Sequence, residues 1–413
     1  MRQRPTHLLG TLLPLAAVLL LATACGGADA EGPAAAPSVM PDGPLRLTTV
    51  NGLAAVDARS GAVAYEAPGA VASPDGSIVA RAVVRPDGTT RVFWLDPADG
   101  RRTAVARIEE PAAIRVVAPD GRVALGPPDI PLGGIVRPVA RAATALTVAA
   151  PDGTVRTYHL DGSIEPEAFS TDGASLFVLG FTPAENPTEY QVNKLDLTTG
   201  EIDGVYGQDS PDERQERMGG IARTQVWDPD GDVVYTLYSQ EVGGRPTSFI
   251  HVLDLDEGWA FCLDLPQAIG WSSPAALAVA PDGARLWVTD SIGHGAVVDT
   301  EALEVLAAGR FRAPGPYGLS AVSDGERLYV GSGDRITVLD GDDLSRVARW
   351  RTSRTIYTLR LDPVDERLVA VTDGQLTTFP LGSPERDPAG RDLPFSQPIV
   401  VTDPTLVDAE CAC

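Results

Sequence analysis

The sequence predicts an all-β fold made from one repeated unit, and three observations carry that prediction. A turn written as a small residue followed by Pro-Asp-Gly or a close variant, then an apolar strand, recurs at "ASPDGSIVARA", "APDGRVALG", "STDGASLFVLG", "DPDGDVVYTLY", "APDGARLWVTD" and "VSDGERLYVGS". A second element, a strand ending in Leu-Asp or Val-Asp before another turn, recurs as "AAVDARSG", "FWLDPADG", "TYHLDG", "NKLDLTTG", "HVLDLDEG", "AVVDTEAL" and "TVLDGDDL". Its acids are Asp57, Asp96, Asp161, Asp196, Asp254, Asp299 and Asp340, most of them about 40 residues apart. The composition, 44% hydrophobic and 22% charged in 413 residues, is that of a globular chain with a large core.

Each part of the unit has a local cause. Glycine at the end of Pro-Asp-Gly supplies the positive φ that closes a hairpin, and the aspartate caps the turn through its side chain. "RLWVTD" and "RLYVGS" read as half-buried strands on their polar–apolar alternation. Four short strands per unit of about 40 residues make one blade of a β-propeller. Counting strand-pair hairpins gives about eight four-stranded blades, with seven as the alternative.

The first copy, beginning at Leu45, lacks an inner strand, and "PIVVTDPT" near the C-terminus has the character of one. The segment Pro398 to Asp403 is therefore expected to pair into the first blade and close the ring, which removes exposed sheet edges. An eighth copy runs from Leu359 to Gly382 with Pro380 at the aspartate position. Two long gaps hold insertions near residues 126–143 and 203–218. The second, "GQDSPDERQERMGG", is a charged run with no apolar face and reads as a solvated loop. Loops gathered at one rim are where such rings bind partners.

The blade order resembles that of the YVTN and WD-repeat-like β-propellers of exported bacterial proteins, over about residues 45–403. That resemblance implies a scaffold reused for many tasks and specifies no activity. "AVDARSGAVAYE" is similar to repeats of quinone-dependent dehydrogenase propellers, with Tyr65 where those place tryptophan. One such copy and no adjacent cysteine pair lead to an expectation of no cofactor.

The N-terminus reads "MRQRPTHLLGTLLPLAAVLLLATACGG". Its order is a basic start (Arg2, Arg4), an apolar stretch from Leu8 to Leu21, and small residues before Cys25. The apolar run is shorter than the roughly 20 residues of a spanning helix and fits an export signal. "LATAC" resembles the bacterial lipobox, with Ala22 where that motif usually has leucine. It implies that Cys25 is diacylated, palmitate included, and becomes the mature N-terminus. The expected organisation is a lipoprotein signal peptide at 1–24, a flexible tether at 25–44, the propeller at 45–403 and a C-terminal tail at 404–413. The expected location is the extracytoplasmic face of the cell membrane, with Cys25 as the membrane contact.

Charge narrows the partners. Lys+Arg 33 against Asp+Glu 56 gives a net charge of −23, which repels nucleic acid and anionic lipid surfaces. His159 and His251 are placed in the third strands of their blades and read as core or surface residues. His294, in "SIGHGAV", is the one histidine offered to a central cavity. "DPDGD", with Asp228, Asp230 and Asp232, has the opening of a calcium loop but lacks the later glutamate, so turn chemistry is the better reading and no metal is expected. No Gly-x-Ser-x-Gly is present, no Ser/His/Asp set assembles, and the six tryptophans read as blade packing. Cys262 is expected to stay reduced and buried, with Cys411 and Cys413 paired to each other or to another molecule.

Two functional classes follow. The first is a monomeric, lipid-anchored binding or scaffolding module that takes an unknown protein or small-molecule ligand at the loop rim or central channel. The alternative is a propeller enzyme, lactonase- or hydrolase-like, with a carboxylate-bound divalent metal in the channel.

Overall fold

The computed structural model describes residues 45–49, 52–128, 139–207, 210–214, 217–266, 268–271, 273–312, 319–362, 365–381 and 390–401. The expected signal peptide, tether, Cys25, Cys411 and Cys413 lie outside them. The described chain is all β, arranged as an eight-bladed propeller of antiparallel sheets. The blades are residues 45–68, 70–108, 113–161, 163–204, 221–264, 275–310, 320–351 and 356–394, numbered here 1 to 8. Within a blade the strands are lettered a to d from the axis outward.

The core is divided among the interfaces. Eight apolar clusters are present, each shared between two neighbouring blades. A central strand therefore buries both its faces, one against each neighbour. That corrects the half-buried reading of "RLWVTD" and "RLYVGS": in Arg285–Asp290 and Arg327–Ser332 every residue after the arginine is buried. Clean alternation belongs to the outer strands, as in Glu304–Arg310, because the blades splay apart with distance from the axis. Aromatic side chains tie successive blades together. Trp94 Nε1 donates to the Gly121 carbonyl (2.6 Å), Tyr158 Oη to Leu197 (2.6 Å) and Trp287 Nε1 to Gly341 (2.8 Å).

The ring closes where the sequence placed its closure. Blade 1 has three strands, Leu45–Thr49, Gly52–Val56 and Val63–Pro68, and its inner position is taken by Val401, bridged antiparallel to Thr49. Ile399 and Val401 enter the blade 8–blade 1 cluster with Leu45, Leu47, Val369 and Val371. Ser396 N donates to the Gly61 carbonyl, and Arg59 pairs in bidentate fashion with Asp365.

The six Pro-Asp-Gly-type turns join strand a to strand b in blades 2 to 7. The Leu-Asp and Val-Asp turns join c to d. Asp57, Asp196, Asp254, Asp299 and Asp340 each accept backbone N–H bonds from the second and third residues onward, and Asp96 accepts one from Ala98. Four residues past the aspartate the chain takes positive φ. Glycine fills that place at Gly61, Gly100, Gly200 and Gly258, but blades 6 and 7 use Leu303 (φ 51°) and Leu344 (φ 61°). Both leucines are buried in inter-blade clusters, so packing offsets the strain of a left-handed backbone.

Asp161 needs correction. In blade 3 the c–d turn is Ala150–Thr154, itself Pro-Asp-Gly, so "TYHLD" is the outer strand Val155–Asp161 and Asp161 ends it. The insertion near 126–143 occupies the b–c loop and shifts the motif order of that blade. His159 accordingly lies exposed on an outer strand, not in a third strand.

The second insertion also departs from the expectation of a solvated loop. Tyr206–Gly207 pairs in parallel with Trp259–Ala260 at the outer edge of blade 5, Ser210–Arg214 folds back on it, and Met218–Gly219 pairs with blade 4. The open N–H and C=O groups of an outer strand attract such pairing whatever the side chains. Both insertions leave from the rim that carries the b–c and d–a connections. The longest hairpin, Val233–Val242 with Arg245–Asp254, projects from the same rim.

Candidate functional site on the inner wall of blades 3 to 5

Three consecutive inner strands carry a β-bulge, which adds one residue and re-aims its side chain. The added residues are Arg115 in blade 3, Glu167 in blade 4 and Arg223 in blade 5. Blade 8 has a fourth bulge at Tyr357, whereas the inner strands of blades 2, 6 and 7 are regular.

At the rim end of this wall, Glu165 sits between two guanidiniums. Arg141 Nη1 lies 2.7 Å and Arg115 Nε 3.4 Å from its oxygens, with side-chain exposures of 13%, 9% and 6% for Glu165, Arg141 and Arg115. Desolvation makes such a triad costly to break: removing one partner leaves a buried charge uncompensated, at about 3–5 kcal/mol. The triad also fixes the insertion. Arg115 Nη2 donates to the Pro127 carbonyl (2.5 Å) and Ser163 Oγ to the Val139 carbonyl (2.9 Å), so Pro127 and Val139 are both tied to the inner wall.

Deeper in, Glu167 accepts from Gln225 Nε2 (2.7 Å), which also reaches Thr236 Oγ1 (3.1 Å). Burial raises the Glu167 carboxyl to about 7, so near neutrality its protonated and ionised forms coexist. Behind it, Tyr190, Tyr238 and Phe249 stack with centroids 5.0 and 5.3 Å apart, and His251 meets Tyr238 edge-on. Burial pushes His251 down to about 4, leaving a neutral ring. Arg223 donates to Ser239 Oγ and to the Trp271 carbonyl. On blade 8, Arg360 bonds Thr358 Oγ1 and the Leu359 carbonyl, and burial lowers it to about 10.

The other sequence candidates are placed apart. His294 Nδ1 lies 2.9 Å from Asp290 Oδ2, a fully buried carboxylate whose Oδ1 accepts the N–H groups of Ile292 and His294; the histidine belongs to a blade 6 turn. Asp228 Oδ1 accepts from Gly231, Asp232 and Val233, so "DPDGD" is a capped turn. Among the described residues no group of three His, Cys, Asp or Glu side chains converges as a metal site. Trp94, Trp287 and Trp350 are buried in inter-blade clusters. Cys262 is on an outer strand of blade 5 but is exposed, its sulfur 3.2 Å from Met218 Sδ. The expectation of a buried thiol fails because the splay of the blades leaves outer strands only partly covered.

Sequence reasoning missed the wall. Its signal was present as charged or polar residues inside otherwise apolar inner strands, "AIRVV", "SIEPEAF" and "IARTQVW".

Among solved structures the chain is similar to Kuenenia stuttgartiensis hydrazine synthase, at 16% identity and a TM-score of 0.43 over 73% of this chain and 97% of that one. It is likewise similar to BamB from Moraxella catarrhalis, at 15% identity and a TM-score of 0.43 over 81% and 95%. Neither likeness bears on what the chain does. No protein-family model matches the sequence, and no curated protein matches it.

Proposed function

We propose that the chain is a lipid-anchored, extracytoplasmic binding or scaffolding propeller whose partner docks on the b–c/d–a rim of blades 3 to 5 and engages the polar wall behind it. One observation carries the reading: the two long insertions, the longest hairpin and three consecutive inner-strand bulges coincide on the same sector and, for the loops, at the same rim. None of these features is required to build a blade, since blades 6 and 7 dispense with them. The basic, apolar and small-residue order before Cys25 supports the anchor, and the likeness of the repeats to YVTN and WD-repeat-like propellers supports the scaffold without specifying an activity.

A photo-crosslinking residue at Val242, exposed at the tip of the blade 5 hairpin, is expected to capture a discrete envelope partner. The same residue at Asp282, in a Pro-Asp-Gly turn of the opposite rim, is expected to capture none. Equal adducts from both rims would overturn the assignment. Cys25→Ser is expected to move the protein out of the membrane fraction, because stable anchoring needs the lipid chains. Unchanged fractionation removes the anchor.

A further inference from the structure

We propose that the wedge between the outer strands of blades 6 and 7 binds a small, doubly charged oxyanion of the phosphate or sulfate class. In blade 7, Arg335 and Arg351 are direct cross-strand partners, and Arg349, opposite Thr337, shares their face. That face looks toward blade 6, because Leu339 on the same side of the strand packs in the blade 6–blade 7 cluster. Like charges set directly opposite one another destabilise a sheet, yet here a third guanidinium joins them. Arg349 Nε is buried without a hydrogen-bond partner, and burial, followed by the charges of Arg335, Arg312, Arg346 and Arg351, lowers its affinity for its proton.

Neutralising groups are scarce. Arg335 has Asp334 at 3.4 Å, and among the described residues no ion pair reaches Arg312, Arg346, Arg349 or Arg351. The facing strand of blade 6 offers Ala307, Gly309 and Phe311, none of them acidic, and a Cβ on Gly309 would meet nothing within 4 Å. A chain of net charge −23 has thus set Arg335, Arg349 and Arg351 on one face, opposite residues that carry no acid. Guanidinium forks match tetrahedral oxyanions in charge and geometry. The overall charge disfavours a phospholipid surface as the source and favours a small soluble ion.

The test uses the full chain. Inorganic phosphate and sulfate are expected to raise its melting temperature above that in sodium chloride of equal ionic strength. Arg349→Gln and Arg351→Gln are expected to weaken phosphate binding by about tenfold or more, as the loss of a hydrogen bond to a charged group implies. Each should also melt no lower than the parent without phosphate, since it relieves repulsion. Gly309→Glu places a carboxylate in the wedge and is expected to raise the melting temperature and abolish the phosphate response. Sedimentation of the Cys25→Ser chain, which carries no lipid, with phosphatidylglycerol vesicles separates the sources: no co-sedimentation, with a free-phosphate response, is the expected result. The proposal is overturned if phosphate does no more than chloride, if the variants keep the response, or if only the vesicles bind.

Discussion

The interface between blades 6 and 7 and that between blades 4 and 5 both join neighbouring blades of the ring and differ in content. The first is apolar to its inner end, with Ala276, Ala278, Val330, Leu328 and Trp287 closed in by Leu344. The second holds stacked tyrosines, a neutral histidine and the bulge-borne Glu167 with Gln225. Since the first is sufficient to hold two blades together, the polar content of the second is not there for cohesion. The comparison separates what the ring needs from what it carries.

Changes that test cohesion should have the largest effects. Truncation after Leu393 removes Ile399 and Val401 from the closing cluster and uncovers the inner edge of blade 1. Two buried aliphatic side chains account for roughly 3–6 kcal/mol, and the open edge adds a risk of aggregation. Denaturant unfolding with light scattering is expected to show both; a truncated chain as stable as the parent would remove the tail from the ring. Trp287→Ala, in the apolar interface, is expected to lower stability by about 3–5 kcal/mol, a loss that equilibrium unfolding in urea measures directly.

The polar interface should answer to pH instead. Glu167 is raised to about 7 in the fold, so the folded state holds more protons than the unfolded one between about 4.5 and 7, and stability falls as pH rises through that window. His251, lowered to about 4, works with the opposite sign: its contribution grows as pH rises from about 4 to 6.5. The two slopes nearly cancel in the parent. Glu167→Gln is expected to unmask the histidine slope and to be more stable than the parent at pH 8 by about 2–3 kcal/mol. His251→Asn is expected to unmask the opposite slope. Melting curves from pH 4 to 8 check both, and parallel profiles for all three proteins would contradict the assignment.

The smallest effect belongs to the left-handed leucines. Leu303→Gly removes a buried side chain, about 2–4 kcal/mol, and relieves about 1–2 kcal/mol of backbone strain. A net loss of about 1–2 kcal/mol is expected, read as a small drop in melting temperature. A gain in stability would mean that strain outweighs packing at that turn.

What was legible in the sequence was what local chemistry writes there. Pro-Asp-Gly and the capping aspartates act within five residues of themselves, so the repeat could be read directly and counted as about eight blades, with seven left open, while closure was read from the strand missing in the first copy. Asp161 misled because a Leu-Asp pair can end a strand as well as start a turn, and only the register with Ala143 distinguishes the two. The inner-wall site was hidden for a different reason. A bulge is a mismatch between two strands, and Arg115, Glu167 and Arg223 acquire their meaning from partners on other strands, such as Glu165, Gln225 and Ser239. The exposure of Cys262 likewise depends on blade splay, which has no local signature.

The bridge between Thr49 and Val401 has a consequence in time. The two residues stand at opposite ends of the described chain, so the first blade to be synthesised is the last to be finished. At about 5–20 residues per second, its inner edge waits on the order of 20–70 s for a partner strand. During that interval Leu45 and Leu47 have neither blade 8 nor Val401 to cover them. A nascent chain built this way depends on whatever shields its leading end, so the demand for a chaperone falls on the first blade, however sound the other seven are.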